Sequence, residues 1–89
     1  MTAPWTWKTT SPAERDLKRL DRQVREQNFD ALDKMAASHP QASSVIRLHG
    51  VEPPQYRLRV GDWRVRFYLR ETERQIVVLR VLHRREAYR

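Results

Sequence analysis

Two neighbouring runs in the second half of the chain alternate apolar and charged residues with period two. In Tyr56-Arg57-Leu58-Arg59-Val60, arginines 57 and 59 oppose Tyr56, Leu58 and Val60. In the run from Trp63 to Arg70, Arg64, Arg66 and Arg70 oppose Trp63, Val65, Phe67 and Leu69. Strand side chains point to alternate faces. Each run is therefore predicted to be a strand with one apolar face and one arginine face. Gly61-Asp62 between them reads as a tight hairpin turn. Antiparallel pairing then places both arginine rows on one sheet surface, and guanidinium groups arrayed in this way suit phosphates.

The remaining pattern supplies the other elements. Trp5-Thr6-Trp7-Lys8-Thr9 alternates aromatic and polar residues and reads as a first strand. Ser11-Pro12-Ala13-Glu14 opens a helix, with Ser11 and Glu14 placed as a capping box and Pro12 at the first helical position. Ala13, Leu17, Leu20 and Val24 follow at helical spacing. A second helix carries Leu32, Met35 and Ala36, with a break expected between Asp21 and Asn28. His39-Pro40 ends the helical region. Residues 40–54 read as a loop from their proline, serine and glycine content, with Leu48 pinning it to the core. Gln75 to Leu82 is apolar on both faces and is expected to lie inside the sheet. The three tryptophans are expected in the core. The fold class is α+β: a small domain with an N-terminal strand, a two-helix hairpin and a three-stranded antiparallel meander. Helices are expected on one face of the sheet and arginines on the other.

Residues 1–89 make one small domain. Its charge is uneven. Residues 1–46 hold seven basic and six acidic residues, net +1; residues 47–89 hold eleven arginines and five acidic residues, net +6. This asymmetry points to a polyanionic partner, most simply nucleic acid. A membrane surface would call for a basic amphipathic helix, whereas these cations fall on strands. No apolar run is long enough to span a bilayer. The absence of cysteine fits a reducing compartment, and the N-terminus has no signal pattern. A cytoplasmic protein with no membrane partner is expected.

The candidate chemistry gathers around Arg57, Arg59, Arg64 and the tail residues His83, Arg84 and Tyr88. RNA cleavage by an internal 2′-OH needs a proton acceptor, cations for the phosphorane and a proton donor for the leaving 5′ oxygen. Arginine suits the second role and is a poor base. His83 suits proton transfer, and guanidinium neighbours would favour the Tyr88 phenolate. Each residue also has a plainer reading. Alternating arginines can be a solvated face, Arg66 and Arg70 can pair with Glu71 and Glu73, and Tyr88 can be a hydrophobic plug. His39, His49 and His83 lack ligand-pair spacing, so no metal site is expected. No phosphate-binding glycine loop is present, and no cofactor is expected.

The stretch from Tyr56 to Val65, followed by Val81-Leu82-His83-Arg84-Arg85-Glu86-Ala87-Tyr88, resembles the RelE/ParE toxin superfamily. That family shows a Y-R-L-R-x-G-D-[YW]-R hairpin and a G-H-R-x-x-V-Y ending. The helix opening from Ser11 to Leu20 fits as well. Leu82 stands where the family often has glycine, and Ala87 where a larger apolar residue is usual. The resemblance implies a toxin of a type II toxin–antitoxin pair that cuts mRNA in the ribosomal A site without metal. By motif, Arg64, His83, Arg84 and Tyr88 become the catalytic set. Arg57, Arg59, Arg66 and Arg85 become contacts to mRNA and ribosomal RNA. The implied partners are a cognate antitoxin, the ribosome and mRNA. Two alternatives stay open: a ParE-type gyrase inhibitor with the same fold, and an inactive relative.

Overall fold

The computed structural model describes residues 4–38 and 45–87. Strand β1 (Thr6–Thr9) leads into α1 (Ser11–Lys18) and α2 (Arg22–Ala37). Strands β2 (Val45–Leu48), β3 (Gln55–Val60), β4 (Trp63–Arg70) and β5 (Gln75–His83) follow, and α3 (Arg84–Ala87) is a single turn. The five strands form one sheet in the order β1-β5-β4-β3-β2. β1 runs parallel to β5, and the other pairs are antiparallel. The α+β class and the arginine hairpin are as the sequence predicts, and β5 lies inside the sheet between β1 and β4.

The core fills the space between the helices and one sheet face. Ala13, Leu17 and Leu20 meet Leu32 and Met35 of α2, and these pack on Leu58, Val65, Phe67, Ile76, Val78 and Val81. Trp5, Trp7 and Trp63 lie against this cluster, half-buried. Trp7 stacks on Phe29 and donates from Nε1 to Asp33 at 2.8 Å.

Three expectations need correction. The loop expected over 40–54 contains β2, an edge strand that pairs with β3 from Val45 opposite Leu58 to Leu48 opposite Gln55. Its four residues find their ladder partner in a strand further along the chain, a pairing that local composition cannot reveal. The first helix is capped by Thr10 rather than Ser11: the Thr10 hydroxyl accepts from the Ala13 amide at 3.3 Å and donates to the Leu79 carbonyl. The interhelical break falls at residues 19–21, earlier than expected. Arg25 explains how it forms without glycine or proline. Its guanidinium donates to the carbonyls of Leu17 at 3.0 Å and Leu20 at 2.9 Å, satisfying the end of α1 from the side of α2. The His39-Pro40 stop lies outside the described residues.

Where β1 ends, α1 takes over the edge of β5. The buried Asp16 carboxylate accepts from the Val81 amide at 2.9 Å and from Arg80 Nε and Nη2 at 2.8 and 3.2 Å. A side chain thus supplies the acceptor that a neighbouring strand would have given. The register between β4 and β5 shifts at the same place. Arg66 lies opposite Arg80, yet Phe67 lies opposite Val78, so Leu79 is an extra residue. Such a bulge inverts which face each later residue occupies.

Candidate nucleic-acid interface

The face of the sheet opposite the helices carries the arginines in cross-strand pairs. Arg57 lies opposite Arg66 and Arg59 opposite Arg64; on the other side of β4, Arg66 lies opposite Arg80. Like charges placed directly across a ladder destabilise it. Arg66 donates to the neutral Gln55 amide oxygen at 3.3 Å, and Arg59 is exposed. Arg70 pairs with Glu73 at 3.1 Å, one of the plainer roles open to it from sequence. Arg80, which strand alternation does not single out, is held by Asp16. That hydrogen bond raises its pKa above the ordinary arginine range.

Arg64 differs from its neighbours. It is only 9% exposed, and its Nη1 donates to the carbonyls of Gly61 at 2.8 Å and Trp63 at 2.9 Å. The guanidinium is folded onto the backbone of the hairpin tip. That tip is formed by Gly61 at φ +57, as in hairpin turns that need glycine at their first central position.

The same tip receives the end of β5. The Arg84 amide donates to the Asp62 carbonyl at 2.7 Å, and the Arg84 Nε lies 3.8 Å from the Asp62 carboxylate. Asp62 thus fixes the start of α3 relative to Arg64. His83, directly before it, is paired with Trp63, with ring centroids 5.3 Å apart and planes at 88°. Because Trp63 faces the helices, His83 is on that side of the sheet, around the strand end from the arginines. Its Nδ1 accepts from the Arg85 amide at 3.3 Å. In the neutral ring the proton is then on Nε2.

The candidate residues therefore divide. Arg57, Arg59, Arg64 and Arg66 share the open face. Arg84 and Arg85 are exposed on α3, with Arg84 tied to the hairpin tip, and His83 lies on the Trp63 side. Tyr88 lies outside the described residues. Asp16 is a structural participant that sequence reasoning missed, and Asp62, read only as a turn residue, also holds Arg84. The alternation that selects Arg66 and Arg70 also selects Tyr68, so a signal for it was present. Among the described residues, no group of three or more His, Asp or Glu side chains is placed to hold a metal ion. No described helix is long and apolar enough to cross a membrane.

Comparison with known proteins places this geometry in a family. Residues 8–88 match the model of the ParE toxin of type II toxin–antitoxin system, parDE. No curated protein matches the chain. Among solved structures, archaeal RelE in its complex with RelB from Pyrococcus horikoshii OT3 superposes with a TM-score of 0.77 at 21% identity, covering 92% of this chain and 97% of that one. The toxin–antitoxin complex RelBE2 of Mycobacterium tuberculosis gives 0.77 at 23% identity, covering 91% and 99%. Isolated E. coli RelE gives 0.73 at 20% identity, covering 97% and 96%. The fold is that of RelE, and the match over residues 8–88 shows that the chain belongs to the ParE toxin family, a toxin of a type II toxin–antitoxin system within the RelE/ParE superfamily.

Proposed function

We propose that this toxin is a cytoplasmic endoribonuclease that enters the ribosomal A site and cleaves mRNA there, inhibiting translation until a cognate antitoxin binds it. The observation that carries this reading is the set of opposed arginines on the open face: 57 with 66, 59 with 64, and 66 with 80. A polyanion bound along that surface turns cross-strand repulsion into attraction.

In the proposed reaction the 2′ oxygen attacks the adjacent phosphorus and gives up its proton. The 5′ oxygen leaves with a proton, and a 2′,3′-cyclic phosphate remains. Arg64 and Arg84, brought together by the hairpin tip, stabilise the phosphorane charge. Arg57, Arg59, Arg66 and Arg85 hold the message and ribosomal RNA backbones. His83 and Tyr88 serve proton transfer. To act as the acid, His83 must carry a proton on both ring nitrogens and so release the Arg85 amide from Nδ1; Tyr88 then takes up the 2′ proton.

RelE relatives have been solved in complexes with RelB, which supports an antitoxin partner here. An acidic or amphipathic antitoxin segment over the arginine face or the helical hairpin would neutralise the toxin. The test is to add purified protein to ribosomes programmed with a short message, beside the same message without ribosomes. Cuts are expected only on the ribosome, and an intact message in both samples overturns the reading.

A ParE-type gyrase inhibitor is the second reading. The family match favours it, as does an Arg64 already engaged by backbone carbonyls. Purified gyrase and supercoiled DNA distinguish it: toxin-dependent double-strand breaks, with intact message, would select this reading.

A further inference from the structure

We propose that Tyr68 is a base-stacking platform for single-stranded RNA on the arginine face. The proposal rests on the RNA reading above and adds a subsite to it.

Tyr68 has the same parity as Arg66 and Arg70 on β4 and lies opposite Val77 of β5. It therefore faces away from the helices. Among the described aromatic residues, it alone belongs neither to the core cluster nor to the residues packed against it. The others have structural work. Trp7 stacks on Phe29, Tyr56 on Phe67, and Trp63 meets His83. Trp5 packs on the core. Tyr68 is half-buried and has no ring partner or hydrogen bond among the described residues.

Its surroundings suit a nucleobase. Val77, outside the core cluster and only 2% exposed, lies between Tyr68 and Lys8 in the ladder and gives that surface a covered apolar base. Arg66 and Arg70 flank Tyr68 two residues away on each side. A phosphate-binding surface alone needs no aromatic side chain. An aromatic placed between cations on a strand combines backbone attraction with stacking, which is how sheet surfaces hold single strands without strict sequence preference.

The test uses the full-length protein and a short single-stranded oligoribonucleotide, 2′-O-methylated to prevent cleavage and carrying a fluorescent adenine analogue. Binding and quenching are read for the unaltered protein and for Y68F, Y68L and Y68A, each checked for folding by circular dichroism. Y68F should bind and quench as the unaltered protein does. Y68L and Y68A should bind about tenfold more weakly and lose the quenching, in line with the loss of one stacked base. Y68L keeps bulk without a π-face, so its loss separates stacking from packing. Equal binding by all four overturns the Tyr68 assignment and leaves the RNA reading intact. A Y68F as weak as Y68A also overturns it, because the hydroxyl rather than the ring would then matter. Failure of the unaltered protein to bind overturns this proposal, while cleavage on programmed ribosomes decides the RNA reading separately.

Discussion

Trp63 and His83 are direct cross-strand partners, their rings meeting edge to face at 5.3 Å. This pairing depends on the extra residue at Leu79. With strict alternation from Val77, His83 would project on the same side as Arg64 and Arg66. The bulge moves it to the helical side, where it packs on tryptophan and receives the Arg85 amide. One inserted residue thus separates the histidine from the arginine rows while leaving both at the same end of the sheet.

Replacing His83 with phenylalanine separates packing from proton transfer. The edge-to-face arrangement survives, so stability should change by less than about 1 kcal/mol. If His83 supplies the leaving-group proton, cleavage should fall by about two orders of magnitude or more. Urea denaturation and single-turnover cleavage on programmed ribosomes measure the two effects. Undiminished cleavage would reduce His83 to a packing residue.

Asp16 should be the costliest surface-proximal residue to lose. Its carboxylate holds the Val81 amide and both ends of the Arg80 fork. Alanine leaves that buried amide without its acceptor, at a cost of about 2 to 3 kcal/mol. Asparagine retains one acceptor and should cost less. Arg80→Ala should also cost less, because the Arg80 side chain is 44% exposed. Denaturant midpoints should be lowest for the Asp16→Ala variant, and a D16A equal to R80A would contradict the assignment.

The hairpin tip should be sensitive in both stability and activity. Gly61 sits at φ +57 with open space around it, so alanine there meets no clash but carries the strain of a left-handed backbone, about 1 kcal/mol. Movement of the tip also shifts the carbonyls that hold Arg64 and Arg84. Gly61→Ala is expected to lose activity well beyond its loss of stability, as read by ribosomal cleavage beside urea denaturation. Asp62→Asn, which keeps the backbone bond to Arg84, should cost under about 1 kcal/mol because the ion pair is exposed.

The arginine face should behave oppositely in stability and binding. Arg59→Ala removes one like-charged cross-strand pair and Arg66→Ala removes two, so each should leave stability unchanged or raise it by a few tenths of a kcal/mol, on the order of a pair term. Together they should lower the salt slope of single-stranded RNA binding by about 1.4, at about 0.7 for each phosphate no longer neutralised. A titration across several salt concentrations checks this. An unchanged slope would mean that neither guanidinium meets phosphate.

Much of this arrangement was legible in the sequence because it rests on local periodicity. The alternation through β3 and β4, broken by Gly61-Asp62, was enough to place five arginines on one surface. The parts that escaped depend on interactions distant in the chain. Val45–Leu48 is a strand because β3 accepts it at the sheet edge. The end of α1 is set by Arg25 reaching back to Leu17 and Leu20. The side occupied by His83 follows from a bulge at the end of the apolar run 76–79, where no hydrophobic pattern marks an extra residue. Tyr68 was visible by parity alone, but its neighbours' charge is the stronger signal in that run.

The most direct measurement is primer extension on a translated reporter mRNA after brief induction of the toxin, with and without a translation block. Cuts within codons that vanish when translation is blocked are the expected result. Intact mRNA accompanied by broken DNA would contradict it in favour of gyrase, and intact mRNA with intact DNA would contradict both.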